Sequence, residues 1–239
     1  MYQIYLIIFL FNYLIQPSYQ ISYQGDATTY GGSRVGGSCG FTNAGMNIPK
    51  YPYGVAINSH QYNNSLSCGS CINIQYNTDT GNKNLDVIVT DICPECAFGD
   101  LDLFQESYQK LISNNPGREK IQWEFINCPN TIVSDNIQLV INEINYYWVS
   151  IQPINIKCEI YQIFILQNNI WVLMERDDSK MMGLFFIYNQ KLLLPFKFKL
   201  INKYLEEIIT PSYNSLESLY VLNSQFKCMT DKIEDLDCN

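Results

Sequence analysis

Residues 89–103, VTDICPECAFGDLDL, place four carboxylates and two cysteines directly behind an apolar run. Three readings compete for this stretch: a metal site, a pair of catalytic acids, or a disulfide-pinned loop around one working carboxylate. The choice turns on the redox compartment of the chain and on whether a second acid lies within reach of the first.

The compartment is read from the other end of the sequence. Residues 1–25 are MYQIYLIIFLFNYLIQPSYQISYQG. The apolar run Tyr5–Ile15 is shorter than the ~20 residues that span a bilayer and stops at Pro17-Ser18, so residues 1–20 are expected to be a signal peptide. The run has no Lys or Arg before it and no clear small-residue cleavage motif after it. No other segment reads as transmembrane. Export favours disulfides, so the nine cysteines are read as pairs first. Six precede residue 129: Cys39, Cys68, Cys71, Cys93, Cys96 and Cys128. Two CxxC pairs with 21 residues between Cys71 and Cys93 would signal a zinc ribbon in a cytosolic protein. In an exported chain with an even local count, three disulfides are favoured over zinc, and neither a metal nor a cofactor is expected. A thioredoxin-like role lacks its βαβ context. Six cysteines allow 15 connectivities; the set carried forward is Cys39–Cys68, Cys71–Cys128 and Cys93–Cys96, the last clamping the loop that holds Asp91. Past residue 128 the count is odd (Cys158, Cys228, Cys238), leaving one thiol free or paired between chains.

With 239 residues, 47% hydrophobic and 16% charged, the chain forms cores rather than disorder. Residues 25–128 and 129–239 each carry −4, within a total of −8. That acidity disfavours nucleic acid, anionic lipid and polyuronate ligands and suits a neutral one.

The first part is rich in turns, with a short strand expected at Ala27–Tyr30. YGVAINSHQYN (53–63) predicts a short helix. CINIQYN (71–77), LDVIVTD (85–91) and KIQWEFINC (120–128) predict strands, and LFQESYQKLI (103–112) predicts a helix ended by Asn114, Asn115, Pro116 and Gly117. A compact β-barrel follows. From residue 135 the texture changes. NIQLVINEI, YYWVSIQPI, EIYQIFILQN, IWVLMERD, LFFIYN and FKFKLI are successive strand candidates with short breaks, the pattern of an antiparallel sandwich. The expected fold is all-β: a barrel over 25–128, a hinge at Cys128-Pro129-Asn130, a sandwich over 133–213 and a C-terminal tail over 214–239.

GDATTYGG…GSCGF, CGSC, VIVTDICPEC and GDLDL, in this order, resemble the first domain of expansins, a six-stranded double-psi β-barrel related to family-45 endoglucanases. YYWVSIQPIN, IWVLMERDD and LPFKFKL resemble the expansin second domain, an immunoglobulin-like carbohydrate-binding sandwich. The resemblance covers about residues 25–210. It implies that Thr28, Asp91 and Asp102 form the polar floor of a glycan groove with Tyr30 as a further substrate-binding residue, and that Tyr147 and Trp148 form an aromatic platform with a third position near Ser179, which cannot stack. Adjacent strand residues point to opposite faces, so one of Tyr147 and Trp148 would be core unless a bulge turns both outward. Trp171, Phe185 and Phe198 are expected in the core. Some bacterial relatives carry a Tyr two residues after the first Asp; Cys93 stands there in this chain.

The residues themselves support the groove reading. Asp91 stands at the end of an apolar strand, and Asp102 lies between Leu101 and Leu103, whose burial would turn it the other way. A carboxyl among apolar neighbours gains pKa and can act as a proton donor. Against this, Asp91 could cap a turn, Asp100 or Asp102 could cap the helix near Phe104, and Glu95 would be merely exposed. Hydrolysis needs two carboxyls at defined separation. In the related endoglucanases the second Asp lies just beyond the Thr-x-Tyr of the first strand, where this chain reads Gly31-Gly32-Ser33; Asp26 lies on the other side of Thr28, in the turn leading into the strand. The expected protein is therefore not an enzyme: it is a secreted, extracellular or wall-bound monomer that binds cellulose or another neutral β-glucan and loosens it without cutting, with no nucleic acid or membrane partner after leader removal. Alternatives are an endoglucanase with Asp26 as base, a barwin-like inhibitor or chitin binder, and, last, a lytic transglycosylase. His60 is the sole histidine and reads as a surface residue, and Asn63-Asn64-Ser65 is a glycosylation sequon.

Overall fold

The computed structural model describes residues 21–32, 37–41, 51–142, 145–177 and 183–228. The expected leader, Ser179 and Cys238 lie outside them. Strands β1 (Ser22–Tyr30), β2 (Gly54–Asn58), β3 (Cys71–Thr78), β4 (Gly81–Cys93), β5 (Leu101–Phe104) and β6 (Glu119–Ile126) close into a barrel of order β1-β5-β2-β4-β3-β6. The pairs β1/β5 and β2/β4 are parallel and the other four antiparallel. Alternation supplies much of the core: Ile72, Ile74, Val87, Val89, Leu101 and Leu103 are fully buried, while Asn73, Asp86 and Asp102 beside them are only half-buried. Trp123 fills the barrel and donates its indole N–H to the Gly99 carbonyl at 2.7 Å.

Residues 54–58, expected within a helix, form strand β2; only Ser59–Tyr62 are helical (α1), with Asn58 as N-cap. Every residue of β2 is buried, so the strand carries no alternation to distinguish it from a buried helix. The second helix, α2, spans Gln105–Leu111 with Phe104 at its N-cap and no side-chain cap, so neither Asp100 nor Asp102 caps it. Strand β1 also starts earlier than expected, placing Asp26 within the strand rather than in a turn before it.

The six barrel cysteines are bridged Cys39–Cys68, Cys71–Cys128 and Cys93–Cys96, the set written above. Among the described residues no cluster of His, Cys, Asp and Glu has the makings of a metal site. A fourth bridge joins Cys158 to Cys228.

Beyond the barrel, two antiparallel sheets stack. One has the order β10-β9-β13-β14 (Ile170–Leu173, Ile160–Gln167, Phe198–Asn202, Glu207–Ile209), and the other β11-β12-β8-β7-β15 (Glu175–Arg176, Phe186–Tyr188, Val149–Ile154, Gln138–Ile141, Leu219–Val221). Phe196, Phe198, Tyr213 and Tyr220 form an aromatic cluster between them. The segment after Tyr213, expected as a tail, is part of this sandwich. Its β15 pairs with β7, Leu216, Tyr220, Leu222 and Phe226 are buried, and Cys228 is bridged. A three-residue strand is too short to show a period in the sequence. Phe198 is core as expected, whereas Trp171 and Phe185 are only half-buried. Lys199 lies over the rings of Phe164 and Trp171, at 4.7 and 5.2 Å. The barrel and the sandwich meet where the buried Gln152 amide donates to the Cys39 carbonyl at 2.7 Å.

The entrance of β1 is locked to the β4–β5 loop by two glycines. A Cβ on Gly25 would lie 2.2 Å from the Gly99 carbonyl oxygen, and Gly99 itself has φ +90°. Gly25→Ala therefore forces two backbones apart. It is expected to lower stability by about 2 kcal/mol or more, read as a shift in the urea midpoint, whereas Gly31→Ala, which meets nothing, leaves the midpoint nearly unchanged.

Candidate functional site

Four residues form one row across the outer face of the barrel. Thr28 on β1 is in register with Asp102 on β5, Asp102 with Ala56 on β2, and Ala56 with Asp91 on β4. Strands lie about 4.8 Å apart, so the two aspartates stand roughly 10 Å apart at Cα, with the buried Ala56 between them. Asp91 reaches this row through a bulge. Val55 pairs with Val89 and the next residue, Ala56, pairs with Asp91, which passes over Thr90. Without the extra residue, alternation would turn Asp91 into the barrel.

Asp91 is fully engaged. It accepts the backbone N–H of Ser38 at 2.7 Å, that of Ile92 at 2.9 Å and the Tyr30 hydroxyl at 3.2 Å. The carboxylate thus ties the 37–39 loop and Tyr30 to the end of β4. Gly37 makes the approach possible: its φ is +80°, and a Cβ there would lie 2.6 Å from the Thr90 carbonyl. The Tyr30 phenol spans the sheet to reach Asp91 and walls one side of the row. Burial, then the charge of Asp91, raises its pKa, which keeps it a donor.

Asp102 is different. One oxygen accepts the Thr28 hydroxyl at 2.6 Å, and the other has no hydrogen-bond partner among the described residues. Burial raises its pKa. The Thr28 bond opposes this, the charge of Glu95 adds to it, and Arg118 acts against it. The flanking Leu101 and Leu103 are fully buried and hold the side chain outward. Glu95 is exposed, as expected, within the Cys93–Cys96 ring. Its charge nevertheless reaches Asp102, an effect of loop closure that no local sequence signal reveals.

Asp26 is occupied by cations. Lys120 lies 2.5 Å and Arg118 3.1 Å from its oxygens, and these bonds hold its pKa below the usual carboxylate range. Asp100 accepts the Asp26 backbone N–H at 2.8 Å and lies 3.7 Å from Arg118. Both acids secure the β1 entrance. His60 is exposed on α1.

The aromatic residues of the sandwich sit on a tight turn. Asn145 and Trp148 form an antiparallel bridge, with Trp148 N–H donating to the Asn145 carbonyl at 3.2 Å and Tyr147 N–H to the Asn145 side chain at 2.9 Å. Tyr146 and Tyr147 occupy the corners. Tyr146, Tyr147 and Trp148 are 41%, 65% and 40% exposed. Strand alternation does not apply to Tyr147 and Trp148, since β8 begins only at Val149; a turn, rather than a bulge, brings the two rings out together. Tyr146, which the sequence reading passed over, is a third exposed ring, and the signal for it was the YYW run itself.

No family model matches the chain. A curated relative, Expansin-YoaJ of Bacillus subtilis (strain 168), is 30% identical over 93 residues, 38% of this chain and 39% of that protein. Among solved structures, the apo form of Clavibacter michiganensis expansin aligns with TM-score 0.71 at 21% identity, covering 86% of this chain and 98% of that one. A single-substitution variant of that expansin, in complex with cellohexaose, aligns with the same TM-score at 20% identity. The chain shares the fold of the solved expansins. The likeness is one of fold over most of the length and of sequence over a shorter stretch.

Thr28, Tyr30, Asp91 and Asp102 are linked across one face of the barrel by strand register and hydrogen bonds. Of the two carboxyls, Asp102 alone keeps an oxygen without a hydrogen-bond partner among the described residues. A carboxyl whose folded-state pKa is raised favours the fold fully below its unfolded value of 3.8, and that support is lost as pH rises through the folded value. Wild-type urea midpoints are therefore expected to fall between about pH 4 and about pH 8 by more than those of Asp102→Asn.

Proposed function

We propose that this chain is a secreted protein that binds cellulose or a related neutral β-glucan along the barrel trough and on the Tyr146–Trp148 turn, and loosens it without hydrolysis. The observation that carries the reading is the division of labour among the carboxyls. A glycosidase needs an acid and a second carboxyl that acts on water or on the sugar. Asp102 suits the acid. Asp91 is spent on three donors, and Asp26 is neutralised by Lys120 and Arg118. What remains grips: Thr28 and Asp102 offer polar contacts, and the exposed rings offer flat apolar faces for pyranose C–H groups. The cellohexaose complex of the structurally similar Clavibacter expansin supports a β-1,4-glucan as ligand.

A second reading rests on Glu95, whose charge is felt at Asp102: with Glu95 as base, the trough would be hydrolytic. Incubating the pure protein with amorphous cellulose and counting reducing ends separates the two. The loosening account expects no steady release, and Trp148→Ala is expected to bind the polymer roughly tenfold more weakly. Steady release that disappears in both Asp102→Asn and Glu95→Gln would establish the hydrolase instead.

A further inference from the structure

Beside Tyr30 lies a cavity of about 270 Å³ between the end of β1, α2 and the loop that follows. None of the described residues that line it is charged, in a chain of net charge −8. Gln105 and Gln109 stand one helical turn apart on the same face of α2, so both amides look into the same space. Both are exposed, and neither makes a side-chain hydrogen bond among the described residues. Asn114 adds a third uncommitted amide. The rim is ordered rather than loose, because the Ser113 hydroxyl donates to the Asn115 carbonyl at 3.0 Å and accepts its N–H at 3.3 Å. Tyr108, almost fully buried, backs the cavity with a ring.

Each carboxamide offers two donors and an acceptor, which matches a ligand whose groups both donate and accept. The aromatic walls and the uncharged lining among the described residues favour a polyhydroxylated ring with apolar faces. The volume lies below the ~300–1,000 Å³ of pockets for drug-sized ligands, room for one ring and not for a chain. Tyr30 lines this cavity and also bonds Asp91, so it joins the cavity to the Asp91–Asp102 row.

We propose that this cavity is a subsite for a single neutral pyranose ring, read by Gln105, Gln109 and Asn114 and supplied either by a side branch of a substituted β-glucan or by a chain end. The proposal rests on the glucan-binding reading above. It is tested with the whole protein and three ligands: methyl β-glucoside, linear cellohexaose, and a β-glucan oligosaccharide bearing single-ring branches. Titrating methyl β-glucoside is expected to shift the side-chain amide resonances of Gln105 and Gln109. The exposed double substitution Gln105→Ala/Gln109→Ala, and Ser113→Trp at the mouth, are expected to weaken oligosaccharide binding about tenfold. Loss confined to the branched ligand assigns the ring to a branch, and loss on the linear one as well assigns it to a chain end. Amide resonances unmoved at saturating glucoside, or unchanged affinity of both variants for every ligand, overturn the subsite. Trp148→Ala keeps the two readings apart. It weakens binding of the polymer while leaving the glucoside shifts in place, so a wild-type protein that ignores both oligosaccharides yet shows those shifts has lost the broader reading and kept the cavity.

Discussion

Ala56 pairs in register with Asp91 on one side and with Asp102 on the other, and that double pairing sets the site. Ala56 is almost fully buried, so a larger residue there would have to displace the side chains packed over it. The pairing is possible because the barrel mixes parallel and antiparallel neighbours, bringing strands distant in sequence side by side, and because the bulge at Thr90 reverses the parity of β4 just before Asp91. The backbone thus delivers the geometry, and the side chains are carried to it.

Carboxyls of one chemical type then meet four fates within a small surface. Asp26 sits among cations and stays ionised. Asp91 is held by two backbone amides and a phenol. Asp102 is half-buried between leucines, pushed towards its protonated form, with one oxygen unspent. Glu95 stands in water on a disulfide ring and acts on Asp102 at a distance.

Much of this was legible in the sequence because it is written in local patterns. The alternation in LDVIVTD and KIQWEFINC marked barrel strands, and Leu101 and Leu103 marked the outward turn of Asp102. The even cysteine count pointed to bridges. What escaped reading was what depends on partners far along the chain. Strand β2 is buried on both faces and has no period; β15 is too short for one and is a strand only because β7 lies beside it. The cations on Asp26 come from β6 and from the loop before it, 92 or more residues away. The turn at Asn145–Trp148 looked like the start of a strand, so the pairing of its rings could be read only from the structure. Gln105 and Gln109 gave no signal, because amides on an exposed helix face are ordinary until a cavity is found in front of them.

The central claim is that a glucan lies across the Thr28–Asp102–Ala56–Asp91 row with no second carboxyl positioned to attack it. The most direct measurement is a crystal structure of the protein with cellohexaose. The account predicts sugar rings over Ala56 within hydrogen-bond reach of Asp102 and Thr28, with Glu95 turned to solvent. A structure in which Glu95 holds a water against an anomeric carbon opposite Asp102, or in which the oligosaccharide avoids the row altogether, would contradict it.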